Sequence, residues 1–289
     1  MKFKADKFRV SAGKKVRLRH LSTKTKQLYK SERQYREMLL HDIGELDSLQ
    51  RVLYASNTYS VLLIFQAMDA AGKDGAISHV MSGVNPEGCE VHSFKTPSAE
   101  EAAHDFLWRT TCRLPAKGKI GIFNRSYYEE VLIVRVHPEL LSTEGLPGKL
   151  LGDPSIWEGR YRSIVEFEKH LHRSGTKVIK FYLHLSKEEQ RKRFLARIDE
   201  SDKNWKFSLG DVKERKFWDK YMKAYEECLG ATSTKASPWH IIPADDKLNA
   251  RLIVSRVVID AIKGLGLKMP KVTESRRREL REIRRQLTK

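Results

Sequence analysis

Val61-Leu-Leu-Ile-Phe65 is an unbroken apolar run that leads straight into Gln-Ala-Met-Asp-Ala-Ala-Gly-Lys-Asp-Gly, residues 66–75. An apolar run this short, bounded by polar residues, reads as a strand buried on both faces. The small residues after it form a turn, and residues 75–84 read as a helix. Strand, tight turn and helix together make a cradle in which backbone N–H groups and a helix N-terminus hold phosphate oxygens, while a lysine adds a point charge. Ala70, Ala71, Gly72 and Gly75 supply that backbone, and Lys73 the charge. The motif departs from the usual pattern at two positions, with Ala67 in place of the first glycine and Asp74 in place of the hydroxyl residue after lysine. Asp69 and Asp74 set two carboxylates beside an anion site, where they would repel phosphate unless a divalent cation lay between. Mg²⁺, with Mn²⁺ as the alternative, takes such hard oxygen ligands. The plainer readings are that Asp74 favours the first helical turn and that Asp69 shapes a turn.

Around this segment strands and helices alternate. Further strands are expected at 89–94, 119–123, 177–185 and 239–243. Helices are expected at 28–54, 97–113, 155–174, 187–199 (capped by Ser186), 217–229, 247–263 and 272–289, with 200–216 as a charged loop. The alternation predicts an α/β fold, a parallel sheet of about five strands with helices on both faces. The chain divides into a basic arm and long helix over 1–54, a core over 55–267 and a basic helix or tail over 268–289.

The formal net charge is +18, and it sits at the ends. Residues 1–30 carry +10 and residues 268–289 carry +6, so the core is nearly neutral. Such flanks attract a polyanion, whether nucleic acid, anionic membrane or a phosphate polymer, or else serve as solvated tails. Three dispersed cysteines exclude a disulfide scaffold and a Cys-based zinc site, which fits a reducing, cytoplasmic setting. No apolar run is long enough to span a bilayer, and no signal peptide is evident.

The run Lys119-Ile-Gly-Ile-Phe-Asn-Arg-Ser-Tyr-Tyr-Glu129 ends a strand in polar groups. Enzymes with a phosphate loop place a metal-holding acid at that strand end. Asn124 stands there instead, so the anionic ligands must come from Asp69 or a neighbour. Arg125 falls at the carboxyl edge of the sheet, where open α/β folds bind ligands. Arg193 and Arg197 share one helix face. Together with Lys203 and Lys206 they suggest a basic lid over about 190–216 that closes on phosphates. Lys95 is a further phosphate-contact candidate.

MDAAGKDG (68–75), FKTPS (94–98), IFNRSYYEEVLIVRVHPE (122–139), KNWKFSLGD (203–211), WDKYMKAYE (218–226) and SPWHIIPADDK (237–247) together resemble the polyphosphate kinase 2 family, and its class III branch in particular. The resemblance implies a three-layer P-loop kinase fold with a helical lid and a helical N-terminal arm. It also implies phosphoryl transfer between inorganic polyphosphate and nucleoside mono- or diphosphates, with GDP and other nucleotides within reach, and a homo-oligomer, dimer or tetramer. By position, Lys73 would hold the exchanged phosphates and Asp69 would ligate the metal with support from Asp74. Arg125 would bind phosphate at the transfer point and Arg135 from the next turn. Glu129 would position a second metal or the acceptor. The competing readings are an ATP-dependent nucleoside monophosphate kinase and a nucleic-acid-binding protein. The latter has no zinc-finger or RRM signature in its favour, so no specific nucleic acid and no membrane partner is expected.

Overall fold

The computed structural model describes residues 5–201, 204 and 207–288; Lys203 and Lys206 lie outside the described residues. Five strands form one parallel sheet: β1 (Ser60–Ala67), β2 (Cys89–Ser93), β3 (Ile120–Asn124), β4 (Thr176–His184) and β5 (Trp239–Pro243). Their order is β2-β3-β1-β4-β5. β1 is central and every residue in it is buried, the outcome expected of a strand covered on both faces. The longer helices are α1 (Glu32–Ser56), α2 (Lys73–Val80), α3 (Ile156–Arg173), α4 (Lys187–Asp199), α5 (Leu209–Arg215), α6 (Trp218–Thr232), α7 (Lys247–Lys263) and α8 (Glu274–Leu287).

The two faces of β1 feed separate cores. Val61, Leu63 and Phe65 pack with α1, α2 and α7 around Leu46, Val80, Ile253 and Val257. Leu62 and Ile64 pack with α3 and α6 around Ile164, Tyr225 and Leu229. α8 contributes no buried residue.

Three expectations need correction. The long N-terminal helix starts at Glu32 rather than 28, because Ser31 caps it by accepting from the Gln34 amide at 3.2 Å. The helix expected over 97–113 is broken into Ala99–Ala102 and Trp108–Thr111. There the Asp105 carboxylate accepts from the Leu107 amide at 2.9 Å, a local turn that competes with helix continuation. The stretch read as loop contains α5, opened by a Ser208 cap.

The second core encloses a charge pair. Lys180, in the middle of β4, and Glu168 of α3 are fully buried and 2.6 Å apart. The ammonium also donates to Tyr128 Oη at 2.9 Å and to the Thr232 carbonyl at 2.8 Å, so all three of its protons are placed. Glu168 in turn accepts from Tyr127 Oη at 2.9 Å and Tyr128 Oη at 2.7 Å. Removing one member of a buried pair strands the other, which typically costs about 3–5 kcal/mol. Lys180→Met or Glu168→Leu alone is therefore expected to lower the unfolding free energy by that order. The double variant Lys180→Met/Glu168→Leu should lose less than the two singles added together. Additive losses in urea titration would contradict the coupling.

Two histidines give a pH signature. Burial pushes His184 and His240 down to about 4, so both rings are neutral at pH 7. The unfolded chain binds protons to them below about 6.5 while the folded chain does not. Stability is therefore expected to be full above that pH and to fall on the order of a few kcal/mol as pH drops toward 4. Replacing both by Gln should flatten that limb of a Tm–pH profile.

Candidate active site

The carboxyl ends of β1 and β3 and the N-terminus of α2 meet at a cleft of about 760 Å³. A larger cleft of about 1360 Å³ lies at the opposite edge, where β4 and β5 begin. The smaller one is the candidate site, since of the two clefts it is the one where strand carboxyl ends and a helix N-terminus converge.

The loop between β1 and α2 is held in an unusual backbone shape. Gly72 has φ +98° and Ala70 φ +62°, the left-handed region; alanine rarely enters it. Arg125, just past β3, has φ +65°, and its amide donates to the Phe65 carbonyl at 3.0 Å. Non-glycine residues held so are concentrated at functional sites. Lys73, at the first position of α2, is buried, and Nζ donates to the Ala67 carbonyl at 2.9 Å. Burial, then the nearby Arg125 charge, lowers its pKa.

Around the lysine, opposite charges interlock. Arg125 Nη2 contacts Asp69 Oδ1 at 3.0 Å, and Nη1 approaches Glu129 at 3.6 Å. Its pKa is raised, chiefly by Glu129. Asn124 Nδ2 donates to Asp74 Oδ1 at 2.6 Å. A carboxylate at position 124 would repel Asp74, whereas the amide fixes it without charge. Each of Asp69 and Asp74 thus has one oxygen engaged, and among the described residues the other makes no hydrogen bond. That hard-oxygen pair fits a divalent cation. Glu129 is paired with Arg125 instead, and it does not line the cleft. Among the described residues the only group of three metal-capable side chains with ligand atoms within 4.8 Å is His41, Asp42 and Glu45, remote from the cleft. Arg256 and Lys263 already neutralise its acids.

The other expected contacts divide. Ala70, Ala71, Gly72, Gly75, Lys95 and Arg197 line the cleft, and Arg197 is partly engaged by Asp211 at 3.4 Å. Arg135 does not: it pairs with Glu227 at 2.7 Å and stacks over Trp157, fixed by an acid and an aromatic face the motif did not reveal. Arg193 lines the cleft, but all five of its donors are engaged by protein. Nε donates to Glu189, Nη1 to the Ala70 and Ala71 carbonyls at 3.0 and 2.9 Å, and Nη2 to the Ala244 and Asp245 carbonyls at 2.6 and 3.1 Å. It braces the loop and has no donor left for phosphate. Gln190 Nε2 adds a bond to the Asp69 carbonyl at 3.0 Å. Two cleft-lining cations were missed, Lys247 and Arg251 on α7. The only signal available was their i, i+4 spacing just after the fifth strand.

Lysine cannot reproduce a five-donor fork. Arg193→Lys is therefore expected to lower turnover about 10²-fold or more through the loop carbonyls it frees, since 1.36 kcal/mol corresponds to tenfold. Arg191→Lys, on the exposed face of α4, serves as the control. Equal rates for the two variants would remove the bracing role.

The sequence matches the family Polyphosphate kinase 2 (PPK2) over residues 29–270. It is 58% identical over 289 residues, all of both chains, to an ADP-polyphosphate phosphotransferase of Rhodopseudomonas palustris. It is 44% identical over 225 residues to an AMP/ADP-polyphosphate phosphotransferase of Meiothermus ruber, covering 78% of this chain and 80% of that one. The crystal structure of polyphosphate kinase 2 from Arthrobacter aurescens TC1 superposes with a TM-score of 0.85 at 38% identity, over 96% of each chain.

Proposed function

The chain belongs to the polyphosphate kinase 2 family, and on that premise we propose how its cleft carries out the transfer of phosphoryl groups between inorganic polyphosphate and nucleotides. The observation that carries the reading is Lys73 at the head of α2, flanked by the Asp69–Arg125 and Asp74–Asn124 contacts. The attacking group is a phosphate oxygen of the acceptor nucleotide, already anionic, so no side chain has to remove a proton. A new P–O bond forms to the terminal phosphorus of the polymer as the bridging P–O bond breaks, and the polymer leaves one phosphate shorter. What remains for the protein is alignment and charge compensation.

Lys73 and the loop amides hold the phosphates being exchanged. Arg125 is aimed at the transfer point by its contacts with Asp69 and Glu129. Asp69 and Asp74 hold Mg²⁺, or Mn²⁺ in its place, which neutralises phosphate charge; the free oxygens of the two carboxylates support this assignment. Glu129 acts through Arg125 rather than on a metal. ADP is the acceptor, with AMP a second one, in keeping with the names of the two relatives. α4 and α5, with Arg197, form the lid. The proposal extends to a homo-oligomer in the cytoplasm. Its supports are the family resemblance and three free cysteines; no helix among the described residues is long and apolar enough to cross a membrane.

The test is ATP formation from ADP with polyphosphate as the sole donor and Mg²⁺ present. No ATP from ADP, with ready phosphorylation of a nucleoside monophosphate by ATP, would instead identify an ATP-dependent nucleotide kinase. Lys73→Ala and Asp69→Asn should each abolish nearly all turnover while the Tm stays near wild type; near-normal turnover in either would displace the site. Asn124→Asp should shift the Mg²⁺ titration more than the Tm, because it sets a second carboxylate against Asp74. An unchanged titration would place residue 124 outside the metal's surroundings.

A further inference from the structure

The basic N-terminal segment is docked along the outer edge of the sheet and leads to the mouth of the cleft. Arg9 bridges to His240 at the start of β5, and the Val10 amide donates to the Trp239 carbonyl at 2.8 Å. The chain then passes Gly230, whose Cα side lies close to the Lys14 carbonyl, and climbs α6 until the Leu18 amide donates to Glu226 at 2.6 Å. It reaches the turn after β5, where Thr23 exchanges two bonds with Asp245: the Asp245 amide donates to the Thr23 carbonyl at 3.1 Å, and Thr23 Oγ1 donates to Oδ2 at 2.8 Å. The Leu28 amide then donates to Asn249 at 3.0 Å. His240 and Asp245 are five residues apart, so the segment rises roughly 17 Å along the sheet edge at about 3.3 Å per residue. Its end abuts the turn that receives Arg193 and precedes the cleft-lining Lys247 and Arg251.

Along this path apolar side chains point in and cations point out. Val10, Val16 and Leu18 are buried, while Lys14, Lys15, Arg17, Arg19, Lys24 and Lys26 are exposed. Among the described residues none of these six has a carboxylate within 4.0 Å. Some exposed cations elsewhere pair with acids, as Arg33 does with Glu37 and Arg191 with Glu188, and others such as Arg113, Arg162 and Lys192 do not among the described residues, so what marks these six is their succession along one docked segment that ends beside the cleft. Holding unpaired positive charges in a fixed row is unfavourable through self-repulsion unless a polyanion lies along them.

We propose that this segment is a rail for the distal part of the polyphosphate chain, whose terminal phosphate occupies the cleft. The inference rests on the functional reading above and adds a second contact region for the same donor. A short polyphosphate or a nucleotide fills the cleft alone, whereas a long chain reaches both cleft and rail and releases counterions from each.

The test is the variant Arg17→Gln/Arg19→Gln/Lys24→Gln/Lys26→Gln, which leaves the buried anchors and the cleft untouched. Initial rates with ADP are measured against tripolyphosphate and against a long polyphosphate at several salt concentrations. The KM for the long polymer is expected to rise about tenfold at low salt. The slope of log KM against log salt should fall by about 3, at roughly 0.7 per lost phosphate contact on a single-stranded polyanion. The KM values for tripolyphosphate and ADP, kcat and the Tm should stay as in wild type. Equal losses for short and long donors, or no loss for either, overturn the rail while leaving the enzyme assignment intact. A variant that loses affinity for single-stranded RNA but keeps its long-polymer KM also overturns it. A wild-type chain that makes no ATP from any polyphosphate overturns the functional reading and the rail together.

Discussion

The phosphate loop keeps its shape because the Arg193 guanidinium holds it from behind. A loop that offers its amides to a ligand must turn its carbonyls elsewhere, and buried carbonyls without partners are costly. Arg193 accepts that task for Ala70 and Ala71, and Gln190 does so for Asp69. Both come from α4, and the same guanidinium reaches the Ala244–Asp245 turn beyond β5. Three chain segments far apart in sequence are thereby fixed around one planar group. The left-handed Ala70 persists in this setting, where its neighbours over-determine its backbone.

The electrostatics of the cleft follow from that rigid frame. Lys73 is buried, and burial alone would favour its neutral form; Asp69, Glu129 and Asp74 oppose this. Arg125 works the other way on the lysine, as a like charge, but is itself held by Asp69 and Glu129. The carboxylates are therefore not surplus negative charge beside a phosphate site. They position the cations and, through their remaining oxygens, offer hard ligands. Asn124 fits the same balance: it orients Asp74 without adding a further anion to the cleft.

The sheet was legible in the sequence because β1, β3 and β5 are short, largely apolar runs and β4 is rich in β-branched and aromatic residues, and all five strands, the more polar β2 included, appear within a residue or two of the expected limits. The loop was legible because its glycine and lysine sit where a strand meets a helix. What could not be read was the partner of each arginine. Arg125, Arg135 and Arg193 look alike in sequence, yet one faces the cleft, one stacks on Trp157 and one braces the loop. Guanidinium partners are set by long-range contacts, here separated by up to 123 residues, which no local pattern encodes. The break at Asp105 was lost for a different reason: a side-chain turn overrode a periodicity that would otherwise continue. The unassigned stretch after Arg125 consists of short helical turns, too brief to show a period.

Lys180 falls inside the strand expected over 177–185, and its role is the least visible in the sequence. Its ammonium and Glu168 hold the hydroxyls of Tyr127 and Tyr128, the first residues of the turn that carries Glu129. Ser126 caps that turn and accepts from Gln66 of β1 at 3.3 Å. Glu129 then meets Arg125, and Arg125 meets Asp69 at the cleft. Two sets of polar contacts, joined by the chain step from Tyr128 to Glu129, thus link the buried pair under the sheet to the cleft. Each member has partners on the next element, so none can shift far without leaving a buried polar group unsatisfied. An apolar isostere of the Lys180–Glu168 pair could fill the same volume, but it would leave the two tyrosine hydroxyls without the groups that fix them. The turn bearing Glu129 would then be free to repack, and the orientation of Arg125 would go with it. On this argument the buried pair is kept less for stability than for directing one arginine toward the cleft.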